Sequence, residues 1–347
     1  MSTQPTQRTV TYGRHHVLQT ISVTTLDSSR DGYWVIRQKL KKATDTEFAR
    51  ATSYIHGGAW RDPTITATSF DTTESILRAS PKTPISGVAS ISYRLSAHPN
   101  HPQDPTSTAP DEFRAAKHPD HIRDVEAALA FLQNTFGFGS RYILVGHSCG
   151  ATLAFQAVMG AIVGHRENAF TDHGNAARPS FTIEPVSTSP APLPPRLTAH
   201  PTAIVGVAGI YDLRRLRDAH PDIDAYREFI DGAFGADELL WDAVSPAQMV
   251  GSRGVEGGWK TGRLVVLAHS KDDELVDEGQ LGSMREALRG WEAAEAQVPV
   301  QELTRRDRRV SVLPISGAHD ESWLSGEELA RAIEFSFEEL RQMGLAP

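Results

Sequence analysis

The chain has 347 residues, which is enough for one large α/β domain or two smaller domains. Hydrophobic residues make up 39% of it and charged residues 22%, as in an ordinary globular protein, and a formal net charge of -8 argues against nucleic acid or an anionic membrane as the main partner. A single cysteine, Cys149, excludes an intramolecular disulfide framework and fits a reducing compartment.

The N-terminal residues are polar. Residues 1–12 lack the apolar stretch of a signal peptide, so we expect a loose tail here and a cytoplasmic protein. No apolar run approaches the roughly 20 residues that a membrane-spanning helix needs. Alternating apolar residues predict a strand over 17–25, and a β-rich segment at 33–36 is its expected antiparallel partner at one edge of a sheet.

Strands and helices alternate over the rest of the chain. Apolar runs predict strands over 50–55, 87–95, 142–146, 203–208, 263–268 and 310–314. Helical periodicity predicts helices over 71–79, 118–134, from just after 150 to about 163, 278–294 and 326–342, with a polar helical segment at 223–235 that would cap a site. This alternation predicts one α/β domain with a doubly wound, mostly parallel central sheet flanked by helices on both faces.

Two segments interrupt the alternation. Residues 96–118 are rich in Pro, His, Asp and Thr without periodicity, which indicates a long surface loop near the rim of a site. Residues 164–201 include seven prolines between Pro179 and Pro201, a composition that does not support a packed element. We interpret this second segment as an insertion into a single domain, because the strand at 203–208 resumes the alternation directly.

The sequence Gly146-His147-Ser148-Cys149-Gly150 lies between a predicted strand and a predicted helix. A direct strand-to-helix turn is crowded, so its flanking residues must be small and its central residue takes a strained conformation. Such a turn raises the Ser148 hydroxyl at the start of a helix, where a developing anion is favoured. We therefore interpret Ser148 as a nucleophile; the alternative is an ordinary glycine-rich turn. Cys149 occupies a small flanking position and is disfavoured as the nucleophile.

A serine hydroxyl needs a base to take its proton, and a carboxylate must hold that base in the right tautomer. In strand-turn-helix hydrolases the three groups follow successive strands in the order Ser, acid, His. Here an acid at Asp272 or Asp273 follows a later strand than Ser148, and His319 follows the last strand. Asp273 is favoured because residues 269–276 match the pattern His-Ser-x-x-Asp-x-x-Val. Asp272 remains the alternative acid, and turn roles for both remain open.

Acyl transfer also needs donors aimed at the oxyanion of the transition state. The sequence His56-Gly57-Gly58-Ala59-Trp60 follows a predicted strand, and the absence of Cβ atoms lets Gly57 and Gly58 turn their N–H groups toward a substrate. The N–H group of Cys149 would be the third donor. Trp60 is expected to wall the pocket and stack on a substrate ring, with core packing as the alternative.

Several other histidines are candidates for binding a substrate or a metal. His147 is the candidate for substrate contact. His98, His101, His118 and His121 have His-x-x-His spacing, but they lie largely in a polar loop without an HExxH helix, so we interpret them as loop residues and expect no metal site. A small molecule is the expected partner, and a homodimer is left open.

These motifs resemble those of α/β-hydrolases of the esterase/lipase type and, more narrowly, those of kynurenine formamidases (arylformamidases), particularly the fungal ones. The matching segments are 54–63, 92–96, 118–124, 146–151, 209–213, 269–275 and 317–319. They are spread over most of the chain. His-Gly-Gly-x-Trp is the more family-specific motif, whereas Gly-x-Ser-x-Gly belongs to the whole superfamily.

The resemblance implies hydrolysis of N-formyl-L-kynurenine to L-kynurenine and formate, in tryptophan degradation toward NAD, without a metal or organic cofactor. It assigns Ser148 as the nucleophile, Asp273 as the orienting acid and His319 as the base. A carboxylesterase of the same fold, a peptidase and a non-catalytic binding protein on a hydrolase scaffold are the alternatives. The segments 96–118 and 164–201 depart from a compact member of the family.

Overall fold

Apolar and β-branched runs form an eight-stranded sheet in the computed structural model, which describes residues 6–25, 50–81, 83, 85–160, 197–297 and 306–345. The strands are β1 (Thr6–Thr11), β2 (Thr20–Thr25), β3 (Arg50–Ile55), β4 (Ile85–Ile91), β5 (Tyr142–His147), β6 (Ala203–Val207), β7 (Leu264–Ser270) and β8 (Arg309–Ile315). Every residue of β5, β6 and β7 is buried, as expected for strands covered on both faces.

The strand order is β1-β2-β4-β3-β5-β6-β7-β8. The pairs β1–β2 and β2–β4 are antiparallel, and every later pair is parallel. The carboxyl ends of β3, β5, β7 and β8 therefore open on the same edge of the sheet, where ligands bind in open α/β folds. This topology gathers the loops that carry the predicted site residues.

Helices cover both faces of the sheet. They are α1 (Asp71–Ala79), α2 (Asp120–Phe136), α3 (Cys149–Gln156), α4 (Leu213–Ala219), α5 (Asp224–Phe234), α6 (Glu238–Val244), α7 (Val255–Gly258), α8 (Gly279–Ala287), α9 (Arg289–Ala293), α10 (Glu321–Leu324) and α11 (Glu327–Gln342). One core cluster includes Leu129 of α2 and Phe155 of α3, and the other includes Leu77 of α1 and Phe337 of α11. The predicted doubly wound α/β architecture is confirmed.

Among the described residues, no helix combines the length and apolar character needed to cross a membrane.

The N-terminal edge differs from the prediction. Residues 1–12 were expected to be a loose tail, but Thr6–Thr11 form β1 and pair with β2. A short polar edge strand has little apolar alternation to reveal it, because much of its surface faces solvent. The segment at 33–36, the expected partner of β2, lies outside the described residues.

Most of the proline-rich segment also lies outside the described residues, which resume at Leu197. Its last residues are held by the domain: the N–H and hydroxyl groups of Thr198 donate to Gln133 Oε1 at 2.9 and 2.8 Å. The indole of Trp259 donates to the carbonyl of Pro201 at 2.8 Å. Residues 96–118 contain no helix or strand, as predicted for a loop.

A buried ion pair joins the N-terminal hairpin to the end of β4 and to α2. Arg94 donates from Nε and Nη2 to the two carboxylate oxygens of Asp124, at 2.9 Å each. The backbone N–H of Arg94 and the side-chain amide of Gln19 donate to the same carboxylate, at 2.9 and 2.8 Å. Four hydrogen bonds thus converge on one buried carboxylate, which fixes the chain directly after Tyr93.

Replacing this carboxylate should destabilise the fold strongly. Asp124→Ala leaves the guanidinium of Arg94 without its bidentate partner, and we expect the free energy of unfolding in urea to fall by about 3 kcal/mol. Glu286→Ala, which breaks an exposed pair with Arg289, is the matched control and should show no measurable loss. Equally small losses of unfolding free energy in the two variants would contradict a stabilising role for the pair of Arg94 and Asp124.

Candidate active site

The turn between β5 and α3 has the strained backbone that its sequence predicts. Ser148 has φ 54° and ψ -123°, in a region that residues with a Cβ rarely adopt. Its N–H donates to the carbonyl of Val207 at 2.9 Å. A Cβ on Gly150 would collide with the carbonyl oxygen of Ile55, so only glycine fits there. The surrounding packing therefore maintains the strain at Ser148, which is 5% exposed.

An acid and an imidazole meet on the loops after β7 and β8. His319 Nδ1 lies 3.0 and 2.9 Å from the two carboxylate oxygens of Asp273, so Nδ1–H donates and Nε2 is left as the basic nitrogen. The backbone N–H groups of Leu275 and Val276 also donate to Asp273 Oδ1, at 3.0 and 2.8 Å. Burial alone would raise the pKa of Asp273, but the contacts with His319 and these N–H groups outweigh it and hold the pKa below its usual range. The carboxylate is therefore an anion that fixes the tautomer of His319.

The neighbouring acid has different surroundings. Asp272 is exposed. Its backbone N–H donates to the hydroxyl of Ser270 at 3.1 Å. The side chain of Asp273 is 1% exposed and points at His319. The geometry therefore favours Asp273 over Asp272 as the partner of the imidazole, in line with the spacing argument.

The glycine-rich loop after β3 lies directly against the serine turn. A Cβ on Gly57 would lie 3.1 Å from the Cβ of Ser148, and Gly58 has φ 93°. The hydroxyl of Tyr93 lies 3.1 Å from the carbonyl oxygen of His56 and 3.3 Å from that of Gly57, so it holds the loop through these carbonyls. Among the described residues, no backbone carbonyl accepts from the N–H groups of Gly57 or Gly58, which leaves them available to a ligand.

The side chain of Cys149 contacts the glycine-rich loop. It is fully buried, and burial raises the pKa of its thiol to about 11, so the thiol is neutral at physiological pH. Its Sγ accepts the N–H of Trp60 at 3.3 Å. A neutral, buried thiol is a poor nucleophile, and its N–H group lies at the start of α3, where the first amides have no partner within the helix.

Trp60 does not occupy the place expected of a substrate contact. It is 0% exposed, and its ring packs edge-on against Phe234 at 5.0 Å and tilted against Phe229 at 6.2 Å. The structure gives this ring the core packing that was the alternative interpretation, and stacking on a substrate ring stays a prediction. Positive φ angles at Ala59 and Trp60 turn the chain so that the indole lies under α5.

His147 also differs from the expectation of a substrate contact. It is 1% exposed, and its Nε2–H donates to the backbone carbonyl of His319 at 3.1 Å. Burial lowers its pKa to about 3, so the ring is neutral. The side chain is therefore directed into the protein and joins the serine turn to the loop that carries His319.

Two further groups around the site were not singled out from the sequence. The carboxylate of Glu274 accepts the backbone N–H of His319 at 3.0 Å. The Tyr93 hydroxyl holds the glycine loop as described above. Neither contact has a local signal, because each joins segments that are distant in the chain; the placement of Glu274 directly after Asp273 was the one available hint.

The predicted cap segment forms α5 and contacts two of the site loops. Phe229 and Phe234 cover Trp60 of the glycine loop, and Glu228 pairs with Arg61 at 2.7 Å. The Tyr226 hydroxyl donates to the carbonyl of Leu275 at 2.7 Å, on the loop of Asp273. This helix therefore ties the glycine loop to the acid loop.

The histidines of the 96–118 region do not converge on a metal site. The rings of His98 and His101 lie 4.8 Å apart, whereas the buried Nε2 of His121 lies 3.1 Å from the hydroxyl of Ser96. Within the described part of the chain, the one group with metal-ligand spacing is His147, His319 and Asp320. The nitrogens His147 Nε2 and His319 Nδ1 already make the hydrogen bonds described above. The expectation that no metal is needed stays a prediction.

Residues 54–332 match the model of the alpha/beta hydrolase family. A kynurenine formamidase-like hydrolase of Fusarium equiseti is 36% identical to this chain over 325 residues, covering 92% of this chain and 87% of that relative. A kynurenine formamidase of Aspergillus versicolor is 34% identical over 292 residues, covering 79% of this chain and 84% of that relative.

Among solved structures, esterase B of Lactobacillus rhamnosis superimposes with a TM-score of 0.57 at 16% sequence identity. The match covers 98% of this chain and 85% of the esterase. At this identity the likeness concerns the fold alone.

The buried histidines around Tyr93 and Ser148 should make the fold sensitive to acid. Burial lowers the pKa of His56 to about 4 and that of His121 and His147 to about 3. In the unfolded chain these rings bind protons near pH 6.5, so stability is complete above that pH and falls as the pH drops below it. Each ring should contribute a loss of about 2 kcal/mol between pH 6.5 and pH 5, measured as the free energy of unfolding in urea.

A variant isolates one of these contributions. In His121→Gln the loss between pH 6.5 and pH 5 should be smaller than in the wild type by about 2 kcal/mol, because one buried proton acceptor is gone. Identical pH dependence in the two proteins would contradict the buried, neutral state of His121.

Proposed function

The chain belongs to the alpha/beta hydrolase family and, within it, to the group of the fungal kynurenine formamidases and their relatives, and on that premise we propose that it hydrolyses N-formyl-L-kynurenine to L-kynurenine and formate. In this proposal Ser148 is the nucleophile, His319 the base and Asp273 the acid that orients the base. The reaction requires no metal or organic cofactor and would contribute to tryptophan degradation toward NAD.

The hydrogen-bonded pair of Asp273 and His319 is the observation that carries the chemical part of the proposal. Nδ1 of His319 donates to a buried carboxylate, and the carbonyl of the same residue accepts from His147, which directly precedes Ser148. These contacts connect the loop of His319 to the strained turn of Ser148 and leave Nε2 of His319 as its basic nitrogen. The name of the Aspergillus versicolor relative supports the choice of substrate.

The proposed reaction begins when His319 Nε2 accepts the proton of the Ser148 hydroxyl. The serine oxygen attacks the formyl carbon, and the N–H groups of Gly57, Gly58 and Cys149 stabilise the negative charge on the formyl oxygen. The C–N bond then breaks, and the aromatic amine leaves with the proton from His319. Water, deprotonated by the same imidazole, attacks the formyl-serine ester and releases formate and free Ser148.

The close packing beside Ser148 supports a small acyl group. A single added carbon on Gly57 would lie 3.1 Å from the Cβ of Ser148 and 2.8 Å from His147 Nδ1. A formyl group carries only hydrogen beyond its carbonyl carbon, so it is the acyl group least hindered by this loop. We therefore expect bulkier acyl groups to be hindered more by the glycine loop.

A second candidate is the hydrolysis of a different formyl or acyl compound by the same residues. The relative from Fusarium equiseti, which matches more of this chain, is named a kynurenine formamidase-like hydrolase and not a kynurenine formamidase. The nucleophile, base and oxyanion donors would be unchanged in this case. The two candidate functions differ only in the substrate groups that are attached to the acyl carbon.

The two adjacent acids give a matched test of the proposed triad. Asp273→Asn should reduce kcat by roughly 10⁴-fold, because the amide stabilises the wrong tautomer of His319 and leaves an imidazolium without its counter-charge. Asp272→Asn, which removes an exposed carboxylate one residue away, should change kcat less than about twofold. A reversal of the two effects would assign the acid to Asp272.

The substrate is tested by comparing kcat/KM for N-formyl-L-kynurenine, N-acetyl-L-kynurenine and p-nitrophenyl acetate. We expect the formyl compound to be the best substrate, because the glycine loop hinders the methyl group of both acetyl compounds. The acetyl amide should be the worst, because an amide is also harder to cleave than an activated ester. Kynurenine release is followed by its absorbance.

Ser148→Ala is the control for traces of host enzyme and should retain about 10⁻⁴ or less of the wild-type turnover. Hydrolysis of p-nitrophenyl esters without release of kynurenine from the formyl compound would reject the formamidase assignment and favour the second candidate. Normal turnover in Ser148→Ala would reject the serine mechanism itself.

A further inference from the structure

His319 is held by more than the carboxylate of Asp273. Its backbone N–H donates to Glu274 Oε2 at 3.0 Å, and its backbone carbonyl accepts from His147 Nε2–H at 3.1 Å. The hydroxyl of Ser322 approaches the same carbonyl at 3.4 Å. The N–H, the carbonyl and Nδ1 of this residue thus all have partners, and Nε2 is the polar atom left for chemistry.

The two side chains that hold this backbone come from separate segments of the chain. His147 directly precedes Ser148 at the end of β5, and Glu274 directly follows Asp273 after β7. Two strands, β6 and β7, separate β5 from β8 in the sheet, so no ladder hydrogen bond connects the serine turn to the loop of His319. The contact made by His147 spans this gap.

Burying His147 has a cost that simple packing does not explain. Because Nε2–H donates to a carbonyl, Nδ1 carries a lone pair, and among the described residues this buried atom has no hydrogen-bond partner. An apolar side chain of similar size would avoid the penalty of an unpaired buried acceptor. The hydrogen bond to His319 is the contact that an apolar side chain could not make.

We propose that His147 and Glu274 are positioning residues that clamp the backbone of His319 from two sides. The clamp holds Nε2 at the serine turn while Nδ1 stays on Asp273. A shift of the loop after β8 by about 1 Å would misalign the base and the serine hydroxyl, and misplacements of that size cost about 10²-fold in rate. The proposal rests on the proposed serine mechanism and does not depend on which substrate the enzyme takes.

The test measures the rate at which an alkyl fluorophosphonate labels Ser148, because this rate reports activation of the serine for any natural substrate. Rates are taken per folded molecule, with the folded fraction from urea unfolding curves, so that a loss of stability alone does not lower them. Failure of the wild type to be labelled would reject the serine mechanism, whereas a labelled wild type leaves the clamp to be judged by its variants.

The variants at Glu274 separate the hydrogen bond from the charge. Glu274→Ala removes the acceptor of the His319 N–H and should slow labelling roughly 10- to 100-fold. Glu274→Gln keeps a side-chain oxygen that accepts this N–H and should label within about threefold of the wild type. Glu278→Ala, which removes an exposed glutamate four residues further on, is the control and should label at the wild-type rate.

The variants at His147 test the other side of the clamp. His147→Gln keeps an N–H donor near the position of Nε2, and His147→Met keeps an apolar side chain of similar size without the donor. We expect labelling of the Met variant to be slowed at least 10-fold relative to that of the Gln variant. If neither variant folds, the Glu274 series decides alone.

Two outcomes would overturn the proposal. The first is wild-type labelling in both Glu274→Ala and His147→Met, which would make the contacts purely structural. The second is an equal loss of labelling in Glu274→Ala and Glu274→Gln, which would show that the acceptor of the His319 N–H is not what matters.

Discussion

The direct contact between the backbone of the glycine loop and the backbone of the serine turn is the constraint on which the site depends. Gly150 leaves no space for a Cβ against the carbonyl oxygen of Ile55, and a Cβ on Gly57 would lie only 3.1 Å from the Cβ of Ser148. The strands before these two segments, β3 and β5, are parallel neighbours, so both segments leave the same edge of the sheet. The two segments therefore meet closely at that edge, without room for additional side-chain atoms on Gly57 or Gly150.

A layer of buried aromatic and imidazole rings supports the glycine loop. Tyr93 stacks on His56 at 4.5 Å and meets His121 edge-on at 6.2 Å, while its hydroxyl holds two carbonyls of the loop. The ion pair of Arg94 and Asp124 fixes the next residue in the chain. Oxyanion donors are most effective when they are aimed before the reaction starts, and in the proposed mechanism this packed layer would keep the loop from reorganising. Trp60 belongs to the same support, because it is buried under α5.

The bounds of several core elements could be predicted closely from the sequence, whereas the strand at the N-terminal edge of the sheet could not. The strand predicted at 50–55 agrees with β3 to the residue, because the glycine-rich loop directly after it marks its end. The helix predicted at 71–79 agrees with α1, because helical periodicity is a strong local signal. β1 was missed because a polar edge strand gains its hydrogen bonds from β2 and not from a buried face. The predicted helix over 278–294 is divided into α8 and α9 at Leu288, two residues before Gly290, which weakens a helix.

For the site, the sequence by itself determined which residue types follow which strands. Glycines flank Ser148, an acid pair follows β7, and His319 follows β8, and these local patterns sufficed to predict that the loops carrying these residues share one edge of the sheet. Tertiary structure decided the rest: the buried pairing of Asp273 with His319, the burial of Trp60, and the contacts of His147 and Glu274 with the backbone of His319. His147 and His319 are 172 residues apart. A motif encodes the backbone path through its own turn, whereas the direction of a side chain and its partner depend on loops that only the assembled sheet brings together.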